Sequence, residues 1–170
     1  MILKFRILSD ENDNFVRDIE IDPSMTLADL HEFLIDALGY EECMTSFFTA
    51  DDKWNRLREF TLMDMGGMGM DGEEEPIPMS DVTIAEIVVA EYTRLIYLFD
   101  MFANRAFYIE LVSSSQPNPS FSYPRVAFEN APVPDQYDPD AVDSTSGSIF
   151  DEMMDDFNEF DGDDSYDDEY

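Results

Sequence analysis

The chain has 170 residues, of which nine are Lys or Arg and 40 are Asp or Glu, so its formal net charge is −31. Such an acidic surface repels phosphates, which excludes DNA, RNA or an anionic membrane as the primary ligand and favours basic partners. A hydrophobic fraction of 44% is enough to build a folded core. The length fits one globular domain with an appendage, or two very small domains.

The first part of the chain has the pattern of a β-hairpin followed by a helix. Residues 2–8 and 15–21 alternate apolar and polar side chains on either side of a polar turn, which predicts two paired strands. Thr26 and Asp29 have the spacing of a capping box. They precede a stripe at helical spacing that consists of Leu27, Leu30, Leu34 and Leu38. Gly39 suits the position just after a helix end.

The middle of the chain is less regular. Two shorter strands are predicted around residues 47–50 and 58–63. Residues 63–80 contain five Met, four Gly and two Pro without periodicity, which indicates a long flexible loop. Thr83 and Glu86 form a second capping box, which predicts a short helix after the loop.

The rest of the body completes a predicted sheet. Residues 95–100 and 106–112 are the most apolar strands and are expected at its centre, whereas residues 113–120 are expected to form a polar connection. The order β-β-α-β-β-α-β-β predicts an α+β fold, with two helices on one face of a mainly antiparallel sheet. We assign residues 1–134 to this domain and residues 135–170 to an acidic C-terminal tail.

The tail contains fifteen acidic residues and no Lys or Arg. Residues 148–160 begin with capping-box spacing and predict an acidic amphipathic helix. We assign its apolar stripe as partner-binding residues, namely Phe150, Met153, Met154, Phe157 and Phe160. Two interpretations stay open. The stripe folds onto a groove of a basic partner, steered by charge, or it packs back onto the body while the acidic end only increases solubility.

Several segments, taken in chain order, resemble the plasmid pRiA4b ORF-3-like family. They are residues 27–40 (LADLHEFLIDALGY), 80–84 (SDVTI), 97–100 (YLFD), 123–125 (YPR) and, more weakly, 137–143 (YDPDAVD). The resemblance spans roughly residues 1–143. It implies no particular reaction, because the family has no established activity to transfer.

The chain departs from the family's pattern at polar positions. The family's HxHxF segment corresponds to residues 44–48 (MTSFF), which contain no histidine. Its GDxWxH stretch corresponds to residues 101–107 (MFANRAF), and Val126 stands where a cysteine follows YPR in the family. If these positions form a site in relatives, this chain has lost it. A degenerate paralogue without a site is therefore one interpretation.

The residue types that carry most catalysis are scarce. His31, the single histidine, lies between Leu27 and Leu34 on the predicted helix, which favours a place at the edge of the core over a general base. Cys43, the single cysteine, excludes an internal disulfide and a cysteine zinc site, and only His31 could activate it as a nucleophile. Carboxylates are so abundant that no spacing singles out a catalytic pair.

No cofactor or metal site is predicted. The glycines of the Met-rich loop lack the phosphate-loop pattern, and the acidic tail lacks EF-hand spacing. The alternative is a Cu(I) site of four thioethers, from Met63, Met65, Met68 and Met70. Such a site would be unusual in a chain without an export signal, so a flexible insertion is the favoured interpretation.

We therefore expect a non-enzymatic protein-interaction module whose acidic body and tail bind a basic protein, with mimicry of nucleic-acid charge as one variant. The alternatives are a carboxylate-dependent enzyme with its site in a body cleft, and a remnant without a site. The opening residues do not form a signal peptide, and no apolar run reaches the roughly 20 residues that span a bilayer. Together with the single cysteine, this predicts a soluble, cytoplasmic protein. The oligomeric state stays open.

Overall fold

The computed structural model describes residues 1–64, 74–89 and 93–137. Within these ranges the chain forms eight β-strands, two α-helices and a short 3₁₀ turn at Met79–Asp81. In chain order the strands and helices are β1 (Ile2–Ser9), β2 (Val16–Ile21), α1 (Leu27–Leu38), β3 (Ser46–Ala50), β4 (Arg56–Thr61), β5 (Ile77–Pro78), α2 (Ile84–Val89), β6 (Arg94–Asp100), β7 (Arg105–Ser115) and β8 (Arg125–Asn130).

The eight strands belong to one sheet in the order β5-β4-β3-β6-β7-β1-β2-β8. The short pair β4–β5 is parallel and the other neighbours are antiparallel. The two most apolar strands, β6 and β7, occupy the middle of the sheet, as their composition predicts. The molecule is an α+β protein with a mainly antiparallel sheet and two helices, as predicted. The predicted order β-β-α-β-β-α-β-β was wrong, because it lacks the short strand β5 and the edge strand β8.

Helix α1 begins and ends where its sequence predicts. The Thr26 hydroxyl accepts a hydrogen bond of 3.1 Å from the Asp29 amide, and the Asp29 carboxylate accepts one of 2.8 Å from the Thr26 amide. Gly39 ends the helix at a φ of 69°, a left-handed conformation that glycine adopts without steric cost. The predicted leucine stripe is buried: Leu27, Leu30, Leu34 and Leu38.

Helix α2 packs beside the start of α1. Its predicted capping box is present, because the Glu86 carboxylate accepts a hydrogen bond of 2.7 Å from the Thr83 amide. The backbone amide of Ile84 also donates a hydrogen bond of 2.9 Å to the carbonyl of Met25, which joins the start of α2 to the segment just before α1. Ile84 and Ile87 belong to the same buried cluster as the leucines of α1. Both helices therefore contribute to one core.

The side chains of the sheet divide between two faces. The inner face forms the core with both helices, and its largest side chains include Phe5, Phe15, Phe47, Tyr97 and Phe107. The outer face carries a smaller buried cluster to which neither helix contributes among the described residues: Ala50, Ile96, Leu98 and Ala106, packed against Phe48, Trp54 and Tyr108.

Trp54 covers this outer cluster from the turn between β3 and β4. Its backbone has a φ of 63°, a conformation that side chains with a Cβ rarely adopt. The indole meets the Tyr108 ring edge-on at 5.2 Å, and the Arg94 guanidinium lies 5.1 Å from the centre of the indole. These contacts hold the strained turn against the sheet.

Two predicted boundaries in the middle of the chain were wrong. The strand predicted at 58–63 is Arg56–Thr61, paired with β3. The loop predicted at 63–80 ends earlier, because Ile77 and Pro78 form β5 beside Phe60 and Thr61 and the 3₁₀ turn follows directly. The part of that loop at 65–73 lies outside the described residues.

The end of the body also differs from the prediction. Strand β7 continues to Ser115, into the predicted polar connection, because Ser113–115 pair with the first residues of β1. Strand β8 was not predicted at all, and it pairs with β2 at the edge of the sheet. Ser113–115 are polar, and β8 has no alternation between buried and exposed residues, so side-chain patterns reveal neither segment as a strand.

Residues 1–136 form one compact unit. The tail helix predicted at 148–160 lies outside the described residues, and the domain boundary at residue 134 stays a prediction. Within the described ranges, no helix has the length and apolar character needed to cross a membrane.

Candidate functional site

A cavity of about 200 Å³ opens at one end of the sheet, beside β3, β4 and the turn between β6 and β7. Its lining comes from four separate parts of the chain: Met44, Thr45, Ser46, Glu59, Thr61, Leu62, Met63, Pro76 and Met101. Three methionines form an exposed rim, with Met44, Met63 and Met101 at 56%, 64% and 42% exposure. The next residue along the chain, Phe102, is fully exposed at the tip of its turn. The mouth of the cavity is therefore apolar.

The floor of the cavity is polar. The Ser46 hydroxyl, which is fully buried, donates a hydrogen bond of 2.9 Å to Oε1 of Glu59 on the neighbouring strand. Side chains alternate between the faces of a strand, so Ser46 and Glu59 lie on one face while Phe47 and Phe60 enter the core on the other. Within the described residues, no Lys or Arg forms a salt bridge with Glu59. The cavity thus holds a partly buried carboxylate without an internal counterion among those residues.

A buried polar cluster supports the cavity from the core side. Nδ1 of His31 lies 2.8 Å from the Tyr97 hydroxyl and 3.2 Å from the hydroxyl of Thr45, which also lines the cavity. All three side chains are less than 5% exposed. Burial lowers the pKa of His31, with a smaller opposing effect from Glu42 and Glu32, so the neutral imidazole is favoured.

His31 is thus deeper in the protein than the core edge that its sequence position predicts. The neutral Nδ1 has a single lone pair, so it can accept a hydrogen bond from one of the two hydroxyls, and the Tyr97 hydroxyl is the closer. Burial raises the pKa of Tyr97, so that hydroxyl keeps its proton. The cluster is fully inside the fold. Its evident effect is to fix Thr45, and with it the start of β3, beneath the cavity.

Cys43 lies next to this region without the features of a nucleophile. Its sulfur contacts the Phe99 carbonyl at 3.5 Å and the Gln136 amide nitrogen at 3.4 Å. Burial raises the pKa of Cys43, which the Gln136 hydrogen bond only partly opposes. The thiol is therefore protonated at neutral pH, and the contacts described for it do not include His31.

The basic residues of residues 1–134 are mostly paired, whereas acidic residues are in excess. Seven of its nine bases form salt bridges with acidic residues of the body: Lys4, Arg6, Arg17, Arg58, Arg94, Arg105 and Arg125. Each chain segment that lines the cavity also has an acidic residue close by in sequence, namely Glu42, Asp64, Glu75 and Asp100, of which Asp100 pairs with Arg105. Most positive charge is neutralised within the body, and acidic residues accompany the apolar cavity.

The residues assigned from sequence fall in different places. The tail stripe Phe150, Met153, Met154, Phe157 and Phe160 lies outside the described residues, as do three of the four methionines of the Cu(I) alternative. The fourth, Met63, lines the cavity. Among His, Cys, Asp and Glu, the described ranges contain no cluster that could hold a metal ion.

Sequence reasoning did not assign Met44, Glu59 or Met101 to a site. Two of them lie in the segments where the chain departs from the family's pattern, at residues 44–48 and 101–107. Those two departures meet at one cavity, and Met44 and Ser46 hold the positions that correspond to the two histidines of HxHxF. The departures from the family's pattern were the sequence signal for this site, but only the fold shows that residues 44–48 and 101–107 lie beside the same cavity.

Comparisons with known proteins agree with this picture of the fold. Residues 2–138 match the family model described as plasmid pRiA4b ORF-3-like protein. No curated protein matches the chain. Among solved structures, the chain is similar to the crystal structure of protein of unknown function MM3350 from Methanosarcina mazei Go1, at 16% identity and a TM-score of 0.61, covering 93% of this chain and 82% of that one. That likeness concerns the fold alone. Because the family model spans most of its length, the chain belongs to the plasmid pRiA4b ORF-3-like family.

Proposed function

We propose that this protein is a non-enzymatic interaction module that binds a basic protein at the apolar rim of the cavity, with the acidic tail as a further binding element. The observation that carries the proposal is the combination of an exposed methionine rim with acidic residues near every lining segment. One variant is that the partner's contact surface normally binds nucleic acid and the acidic surface occupies it.

The rim and the surrounding charges have separate roles in such binding. Desolvated apolar contacts at the centre of an interface supply most of the affinity, whereas surrounding charges steer encounter and reject unsuitable partners. Met44, Met63 and Met101 provide polarisable side chains that adapt to a partner's shape. Because seven bases are already paired within the body, the acidic excess is available to an incoming basic surface.

Two alternatives receive less support. A hydrolytic enzyme with two carboxylates needs both in one cleft, and Glu59 is the one carboxylate among the described residues that line this cavity. A remnant without a partner gives no reason for three exposed methionines to share a rim. We also propose a cytoplasmic location, on the grounds of the single cysteine.

The test separates apolar binding from simple charge attraction. The tagged full chain and three variants are used to capture proteins from native lysate: a chain ending at Asp143, Met44→Glu with Met101→Glu, and Phe128→Glu with Val112→Glu. The last two variants add the same negative charge, one pair at the rim and the other at exposed apolar positions on β8 and β7.

We expect a basic protein that is retained by the wild type and the β7–β8 variant, lost by the rim variant, and released progressively as salt rises. Equal retention by the rim variant would show that charge alone accounts for capture and would overturn the role of the rim. Loss of the partner from the chain ending at Asp143 would add the tail to the binding surface. Unchanged retention would confine binding to the body.

A further inference from the structure

We propose, on the basis of the proposed function, that the cavity is a receptor for one lysine side chain of the basic partner, with the lysine ammonium bound by Glu59. The cavity, its methionine rim and its carboxylate floor together match a long alkyl chain that ends in a positive charge. Three features of the described residues lead to this assignment.

The first feature is the change in the lining from exposed apolar side chains to buried polar ones. Met44, Met63 and Met101 are the exposed residues of the lining, whereas Ser46 is fully buried and holds the partly buried Glu59 by a hydrogen bond. A lysine side chain has the same order, with four methylene groups before the ammonium. Thioethers make favourable contacts with methylenes, and the low polarity of the walls strengthens attraction between charges within them.

The second feature is the missing counterion. Glu74, in the segment before β5, pairs with Arg58 of β4. Glu59 pairs with no base of the described residues, although its strand and strand β3 remove it partly from water. A partly buried carboxylate gains most from an incoming cation, whereas a neutral ligand would desolvate it without compensation.

The third feature distinguishes lysine from arginine. Ser46 uses one lone pair of Oε1 of Glu59, and among the described residues no hydrogen bond reaches Oε2, which leaves Oε2 as the more open oxygen for a single donor. A guanidinium binds a carboxylate best through two parallel hydrogen bonds to both oxygens. An ammonium is a compact charge that a single carboxylate oxygen can satisfy. With Oε2 open and Oε1 already sharing its lone pairs with Ser46, we infer that a single-point contact with lysine fits this carboxylate better than a two-point contact with arginine.

The test uses two labelled peptides of eight residues, one all lysine and one all arginine, and measures fluorescence anisotropy with the full chain at low salt. Glu59→Gln removes the charge and keeps an oxygen that can accept the Ser46 hydrogen bond. Glu75→Gln is the matched control, because it removes one charge from an exposed residue close to the lining Pro76. We expect Glu59→Gln to weaken lysine-peptide binding about tenfold, and Glu75→Gln to weaken it by less than about twofold.

A second pair of variants leaves Glu59 in place, so that a loss of binding in this pair cannot result from misfolding of Glu59→Gln. Met44→Lys introduces an ammonium at the exposed mouth, where it competes for Glu59, and Phe128→Lys adds the same charge at an exposed position on β8. We expect only Met44→Lys to lower lysine-peptide affinity about fivefold or more.

The outcomes separate this inference from the proposed function. If Glu59→Gln and Glu75→Gln weaken binding equally, or the arginine peptide binds wild type more tightly than the lysine peptide, the lysine receptor is wrong while basic-partner binding stands. If neither peptide binds the wild-type chain at low salt, both the lysine receptor and the proposed function fail.

Discussion

The Ser46 hydroxyl donates a hydrogen bond of 2.9 Å to Oε1 of Glu59 across the β3–β4 pair. Replacing Ser46 by Ala removes the described donor to this carboxylate and leaves a small void beneath the cavity. We expect Ser46→Ala to lower the free energy of unfolding by about 1 kcal/mol, as measured by urea denaturation. Ser114→Ala on the exposed end of β7 is the matched control and should stay within about 0.5 kcal/mol of wild type. Equal effects would mean that the hydrogen bond contributes nothing.

The pH dependence of stability should report on His31. Burial lowers the pKa of His31 below the ordinary value of 6.5. The unfolded chain then binds a proton that the folded chain does not, so the stability from the neutral imidazole is complete above pH 6.5 and is lost as pH falls toward the folded pKa. His31→Gln should flatten the dependence between about pH 7 and pH 5, where the slope is at most about 1.4 kcal/mol per pH unit.

The measurement is urea denaturation of both proteins across that pH range, where the carboxylates that begin to bind protons near pH 5 are common to the two proteins. His31 is the single histidine of the chain, so no second imidazole obscures the comparison. Parallel curves for wild type and His31→Gln would contradict the assignment of a buried neutral ring.

The outer face of the sheet depends on one aromatic side chain. Trp54 packs against the cluster that includes Ala50, Ile96 and Leu98. Trp54→Ala should expose these side chains and lower the free energy of unfolding by roughly 2–3 kcal/mol, less than a fully buried tryptophan would. Trp54→Gly removes the same ring, but glycine adopts the positive φ at this position without strain. We therefore expect Trp54→Gly to lower the free energy of unfolding by less than Trp54→Ala does. Thermal unfolding followed by circular dichroism measures the stability of both variants. A loss below about 0.5 kcal/mol for Trp54→Ala would contradict the role of Trp54 in covering the outer cluster.

The positions that correspond to the family's HxHxF histidines give a gain-of-binding prediction. Met44 and Ser46 both line the cavity that contains Glu59. Replacing both by His would bring two imidazoles and a carboxylate to one cavity, a ligand set suited to Zn²⁺. We expect Zn²⁺ binding by calorimetry to be at least tenfold tighter for the double variant than for Met44→His alone, which has one new imidazole. Equal affinities would show that the side chains at 44 and 46 do not converge.

Sequence patterns predict the elements that have local signals. Both capping boxes form, and the leucine stripe of α1 is buried, because these features depend on residues within one or two turns of each other. Strand β8 carries no such signal, because its residues are partly buried or exposed without alternation. It forms as a strand because its backbone pairs with β2 at the edge of the sheet. The cavity is harder still to predict. Met44, Glu59 and Met101 come together only through the pairing of β3 with β4 and β6.

Arg105 binds the last residues of the folded unit, so its contacts bear on how far the C-terminus can be shortened without loss of stability. Its guanidinium donates hydrogen bonds of 2.6 and 3.0 Å to the carbonyls of Asp135 and Gln136, while the Gln136 side chain bonds both backbone groups of Glu41. A chain that ended at Pro134 would leave Arg105 without those two acceptors, at a cost of about 1–3 kcal/mol for a largely buried donor. A chain that ended after Gln136 would keep them, so proteolysis of the native protein should leave a fragment that retains both residues.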